Sequence, residues 1–174
     1  MPDNKVLLVI DLQNDYLWNK RKPMFTYATD NLINNVNKAI ASYRGSGYDI
    51  IYIKHILPDN AFVRNLVGFS VEGSEGADIY RGVNRVSDLV FEKNRSDTYT
   101  SPAFRAHMKT KNYKEVVICG LDECGCVGAT ARGACKTGVK VIMLTSCIGS
   151  RFSEKKVNKQ REKLTSLGVI YRYE

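Results

Sequence analysis

Histidine is scarce in this chain. There are only two, His55 and His107. A zinc site built on cysteine pairs would need further ligands, and two histidines supply few. No apolar run approaches the ~20 residues that a membrane-spanning helix requires. The opening residues Met1 to Lys5 lead straight into a strand-like run, so they are not read as a signal peptide. No glycine-rich phosphate loop is present, because Gly120, Gly125 and Gly128 match neither G-x-G-x-x-G nor a Walker pattern. There is also no C-x-x-C motif, no internal repeat, no low-complexity tract and no linker. The five cysteines are an odd number, which a disulfide framework does not explain. Reduced thiols in the cytoplasm are the expectation.

What is present is an ordinary globular composition. Of 174 residues, 44% are apolar and 25% charged, which suits one domain and excludes a disordered chain. The domain is expected to span residues 1–174. The net charge is +8. Half of it falls between Arg151 and Glu174, where seven basic and three acidic residues are spaced as on a solvated face. Neither a nucleic-acid partner nor a membrane partner is expected from it.

Short apolar runs rich in β-branched residues alternate with helical patterns. Strands are expected at Lys5–Ile10, Asp49–Lys54, Leu89–Phe91, Glu115–Cys119, Val139–Leu144 and Val169–Tyr171. Helices are expected at about Asp30–Tyr43, capped by Asp30, and at Pro102–Lys111, Cys126–Lys136 and Ser153–Leu167. Between Pro58 and Asp88 the pattern is weak. The alternation predicts an α/β fold, a three-layer α/β/α arrangement around a mainly parallel six-stranded sheet of Rossmann-like, doubly wound type.

In such sheets ligands bind at the carboxyl ends of the strands. Asp11, His55, Lys93 and Cys126 all fall there. Singly, each has a plainer reading: a turn residue, a satisfied polar group, a solvated charge, a small buried hydrophobe. Their joint placement is the signal. Cys126 also starts a helix, where backbone dipoles favour a thiolate and free N–H groups suit an oxyanion. With Asp11 as base and Lys93 as nearby cation, an acyl-transfer site results.

Three segments then carry a likeness. Val9-Ile10-Asp11-Leu12-Gln13-Asn14-Asp15-Tyr16 resembles an opening D-x-Q-x-D-[FY] motif. Phe91-Glu92-Lys93 with Asn94 to Tyr99 resembles a lysine segment, and Gly120 to Val127 with Ala129-Thr130-Ala131 a nucleophile turn. Together they resemble the isochorismatase-like cysteine hydrolases, which include nicotinamidases and related amidohydrolases. The resemblance covers nearly the whole chain.

It implies Cys126 as nucleophile with Asp11 and Lys93 completing a catalytic triad. It also implies a cis peptide between Leu121 and Asp122, with the backbone N–H groups of Asp122 and Cys126 as oxyanion hole. The implied activity is hydrolysis of a small-molecule amide or related C–N bond through a thioester. Family members are often dimers or tetramers, so a homo-oligomer is implied too. Nicotinamidases resemble one another in a metal site of an Asp and two His after strand two. Here that stretch reads Lys54-His55-Ile56-Leu57-Pro58-Asp59-Asn60, so no metal and no cofactor are expected. Tyr16, Trp18, His55, Phe62 and Tyr99 are the candidate pocket walls. Two rival readings remain: a thiol redox protein using Cys124 and Cys126, and a catalytically silent binding member.

Overall fold

A computed structural model describes residues 4–173. Six parallel strands run through it: β1 Lys5–Ile10, β2 Asp49–His55, β3 Val90–Lys93, β4 Glu115–Leu121, β5 Lys140–Gly149 and β6 Ile170–Arg172. Their order across the sheet is β3-β2-β1-β4-β5-β6. The chain leaves β1 toward one edge, then returns and crosses to β4 on its other side. The ends of β1 and β4 therefore lie side by side at the switch point, where parallel sheets bind ligands.

The helices are α1 Asn14–Leu17, α2 Thr29–Gly45, α3 Pro102–Lys111, α4 Cys126–Cys135 and α5 Glu154–Ser166. Strand side chains alternate between two apolar layers, as a sheet covered on both faces requires. Leu7 and Val9 pack with Leu32, Ile33, Val36 and Ile40 of α2. Val6, Leu8 and Ile10 pack with Phe104 and Met108 of α3, Val127 and Ala131 of α4 and Leu164 of α5. This is the expected three-layer α/β/α fold. Among the described residues, no helix is long and apolar enough to cross a membrane.

Several boundaries differ from expectation. Helix α2 starts at Thr29 with Ala28 at its N-cap and no side-chain cap, so Asp30 lies in the first turn instead of capping it. Strand β5 continues to Gly149, past the polar Thr145 and Ser146. A register irregularity opposite Ile118–Gly120 lets that extension keep pace with β4. Strand β3 ends on Lys93 itself. The weak-pattern region contains two short turns of helix, Val63–Val67 and Glu75–Ala77.

Candidate active site

Each proposed catalytic residue sits where a strand ends or a helix begins. Asp11 follows β1 and takes left-handed backbone geometry, with φ at 53°. Aspartate is among the few residues that tolerate it. The twist turns the chain away from the sheet, and its backbone N–H still donates to Ile53 at 2.9 Å. Beside it, Gly120 has a φ of 118° and a missing side chain that matters. A Cβ there would lie 2.1 Å from the Ile10 carbonyl oxygen. Only glycine lets β4 pass this close to the Asp11 corner.

Gln13 is fully buried and acts as a clasp. Its Nε2 donates to the carbonyls of His55 and Ala77, both at 2.9 Å, and its Oε1 accepts from the His55 N–H at 2.7 Å. The end of β2 is thereby tied to the β1 corner. Asp15 accepts from the Ser70 N–H at 2.7 Å, and the Tyr16 hydroxyl meets Ser70 Oγ at 2.5 Å. The opening motif is thus largely a set of fasteners for the irregular segment between β2 and β3.

His55 and Lys93 are register partners on neighbouring parallel strands, so they share a face. The segment beyond Lys93 is held against α4. Thr98 donates through its N–H to Thr130 Oγ1 at 3.1 Å. Asp97 fits where Gly133 has no side chain, 2.4 Å from the position a Cβ would take.

The nucleophile turn is organised by Asp122. Its carboxylate accepts from the Tyr27 hydroxyl at 3.0 Å, the Arg151 N–H at 2.8 Å, the Cys124 N–H at 2.9 Å and Ser150 Oγ at 3.2 Å. The Leu121–Asp122 peptide is cis. Cys126 is the first residue of α4. Among the turn and cap hydrogen bonds of the described residues, neither the Asp122 N–H nor the Cys126 N–H is a donor.

These residues converge. Lys93 Nζ donates to Asp11 Oδ2 at 2.8 Å and lies 3.3 Å from His55 Nδ1. A carboxylate oxygen of Asp11, a ring nitrogen of His55 and Cys126 Sγ all lie within 4.8 Å of one another. Asp11 Oδ1 is buried with no hydrogen-bond partner among the described residues. A carboxylate beside a thiol, with one oxygen unsatisfied, is a ready proton acceptor.

The charges follow from burial. Burial alone would lower the Lys93 pKa, but the Asp11 carboxylate and Cys126 outweigh it and hold it above the ordinary lysine value. His55 is lowered, first by burial and then by the neighbouring ammonium, so its ring is neutral at pH 7. Burial, reinforced by Asp11, pushes the Cys126 thiol up to about 12. This corrects the expectation of a thiolate favoured by the helix start. Desolvation inside the cavity exceeds what the dipole and Lys93 contribute, so the resting sulfur carries its proton.

The cavity over Cys126 has a volume of about 210 Å³. Tyr16 and His55 line it. So do Phe25, Tyr27, Phe69, Ser96, Arg151 and Phe152, which sequence reasoning did not single out. Three of the expected walls lie elsewhere. Trp18 lines a separate surface groove with Asp15 and Arg64. Tyr99 packs edge-on against Phe104, 5.1 Å between ring centres, and lines a cavity beside α3. Phe62 is 64% exposed on the short turn before Val63. Arg151 had a signal that the shorter strand concealed: it follows the true end of β5 by two residues.

The isochorismatase domain family model matches residues 5–169. The chain belongs to the isochorismatase family. Its curated relatives include the isochorismatase family protein YddQ of Bacillus subtilis (strain 168), 26% identical over 133 residues, covering 76% of this chain and 70% of that one. Its fold is that of a pyrazinamidase of Pyrococcus horikoshii in complex with zinc, with a TM-score of 0.84, 22% identity and 98% and 99% of the two chains covered. An N-carbamoylsarcosine amidase from Thermoplasma acidophilum shares it too, with a TM-score of 0.79, 20% identity and 98% and 96% coverage.

A family metal does not fit these residues. Asp11, His55 and Cys126 are close enough to surround an ion, but the Lys93 ammonium already occupies Asp11 Oδ2 and lies against His55 Nδ1. A dication would meet a fixed positive charge. His107 is no alternative ligand, because it lies on α3 against Phe91 and Tyr113. Asp59 is committed to an ion pair with Arg64.

Proposed function

We propose that the protein hydrolyses a small-molecule amide or related C–N bond through a Cys126 thioester, using Asp11, Lys93 and Cys126 as its triad. The observation that carries this is the convergence of a thiol, an unsatisfied carboxylate oxygen and a buried ammonium on one cavity.

The resting thiol is neutral, so its proton leaves as the bond to carbon forms. Asp11 Oδ1 takes that proton while Lys93 stays on Oδ2. The sulfur attacks the amide carbonyl, and the Asp122 and Cys126 N–H groups hold the oxyanion. Protonated Asp11 then gives its proton to the departing nitrogen, and the C–N bond breaks. Water, deprotonated by Asp11, cleaves the thioester and returns the thiol. The Lys93 ammonium offsets the negative charge throughout.

The cavity is smaller than the roughly 300–1,000 Å³ of most ligand pockets, which favours a small acyl group. Its walls are aromatic, and Arg151 places a positive charge among them. Among the described residues, the guanidinium forms no ion pair, and it lies 4.9 Å from the Phe152 ring centre. The redox reading gains no support. Cys126 faces Asp11 and Lys93, whereas Cys124 is influenced by Asp122, Glu123, Lys156 and Ser150.

The test is ammonia release over a broad panel of small amides, with Cys126→Ala beside the wild type. Turnover on at least one amide, reduced to background in the variant, is expected. No turnover, or equal turnover by the variant, overturns the reading.

A further inference from the structure

His55 is the polar group at this site to which the triad gives no task. It stands at the end of β2, between β1 with Asp11 and β3 with Lys93 in strand order. Its backbone is gripped at both N–H and C=O by Gln13. A third bond, from the N–H of the following residue Ile56 to the Lys93 carbonyl at 2.8 Å, ties this strand end to β3. This residue is more firmly placed than a cavity wall needs to be.

The ring's chemistry follows from its neighbour. An ammonium has donors and no acceptor. His55 Nδ1, 3.3 Å from Lys93 Nζ, must therefore offer its lone pair. The single proton of the neutral ring then sits on Nε2. Among the described residues, Nε2 has no hydrogen-bond partner, and the ring lines the cavity. One edge of the imidazole faces Lys93, and the other carries a donor with no partner among the described residues.

We propose that His55 is a bifunctional positioning residue: its Nδ1 accepts from Lys93 and holds the ammonium between Asp11 and Cys126, while its Nε2–H donates to an acceptor atom of the substrate. The second half rests on the hydrolase reading; the first does not. Substrates are then amides that carry a hydrogen-bond acceptor beyond the reacting carbonyl. A lysine ammonium, steadied by one carboxylate and one imidazole, stands where a cation is needed.

Charged and titratable groups surround the ring. Lys93 faces it from β3, Asp11 from β1 and Cys126 from α4, with Tyr16 and Arg151 farther along the cavity wall. A proton on Nδ1 would set two cations side by side. Lys93 would lose its imidazole anchor, and activity would fall on the acid side as His55 titrates.

Two histidines make a direct test possible. Nitrogen-15 histidine labelling of the 19.6 kDa wild type gives two imidazole patterns, assigned with His107→Gln. The expected result for His55 is a neutral ring with the proton on Nε2 at pH 7. A proton on Nδ1, or a charged ring at that pH, overturns the proposal whether or not a substrate has been found.

Activity then separates the two edges. In His55→Asn the amide oxygen can replace Nδ1, and the substrate donor is lost. KM should rise roughly 2–10-fold with kcat nearly kept. In His55→Gln the amide nitrogen can replace Nε2–H, and the lysine anchor is lost. There kcat should fall roughly 10–100-fold. The part of the wild-type acid limb that His55 contributes should be absent from His55→Asn. Wild-type kinetics in both variants, with Cys126→Ala still inactive, would overturn the role of His55 and leave the hydrolase reading standing. Absence of turnover by the wild type would sink the hydrolase reading and leave the tautomer to decide the rest.

Discussion

As the proposed nucleophile, Cys126 is a concealed one. Its sulfur is chemically quiet until a substrate brings a carbonyl to it and displaces water. Alkylation of the resting protein should show this. Iodoacetamide should modify Cys126 slowly at pH 8, and the rate should keep climbing to about pH 12 instead of levelling near the ordinary thiol value. Peptide mass spectrometry reads the site, and a plateau near pH 8 would contradict the neutral resting thiol. The Asp11–Lys93 pair has its own signature. With side-chain exposures of 4% and 0%, removing one partner strands a buried charge. Asp11→Asn should cost about 3–5 kcal/mol in urea unfolding, and Asp11→Leu with Lys93→Met should cost less than either change alone. At this scale the sequence was highly legible. Asp11, Lys93, Cys126 and His55 meet on the structure because strand ends in a parallel sheet form one rim. The cavity walls were less so. Trp18, Phe62 and Tyr99 are aromatic and near the motifs in sequence, but an aromatic ring's address depends on long-range packing.

At the scale of elements, strands read well where both faces are buried. Strands β1, β2 and β4 are continuous apolar runs, and their composition reports their environment directly. Strand β5 was cut short because Thr145 and Ser146 mimic a loop, although β4 still pairs beyond them. The stretch from Pro58 to Asp88 was opaque for a different reason. Its order comes from Gln13, Asn14 and Asp15, tens of residues away, through side-chain bonds to its backbone. No local pattern records such fasteners. The junction of β1 and β4 offers the sharpest element-level test. Gly120→Ala places a methyl 2.1 Å from the Ile10 oxygen on a backbone with φ at 118°. A loss of at least about 1–3 kcal/mol is expected in urea unfolding, with Cys126 displaced from Asp11 as a second effect. A neutral substitution would mean that the two strand ends are not tightly apposed.

For the whole molecule, family membership and an all-parallel sheet settle the architecture, while assembly is an expectation from the family likeness. Sedimentation should give a dimer or tetramer mass, and a 19.6 kDa particle at micromolar concentration would contradict it. The net charge of +8 has no visible role at the site beyond Lys93 and Arg151. The strand order has a further consequence, for synthesis. Strands β1, β2 and β3 are adjacent in space and consecutive in sequence, so residues 5–93 can bring Asp11, His55 and Lys93 together before the rest of the chain exists. The sulfur comes later, on the far side of β1, when β4 docks. A ribosome-bound chain would therefore carry the acid–base half of the site first, and the reactive atom would arrive only as the sheet closes around it.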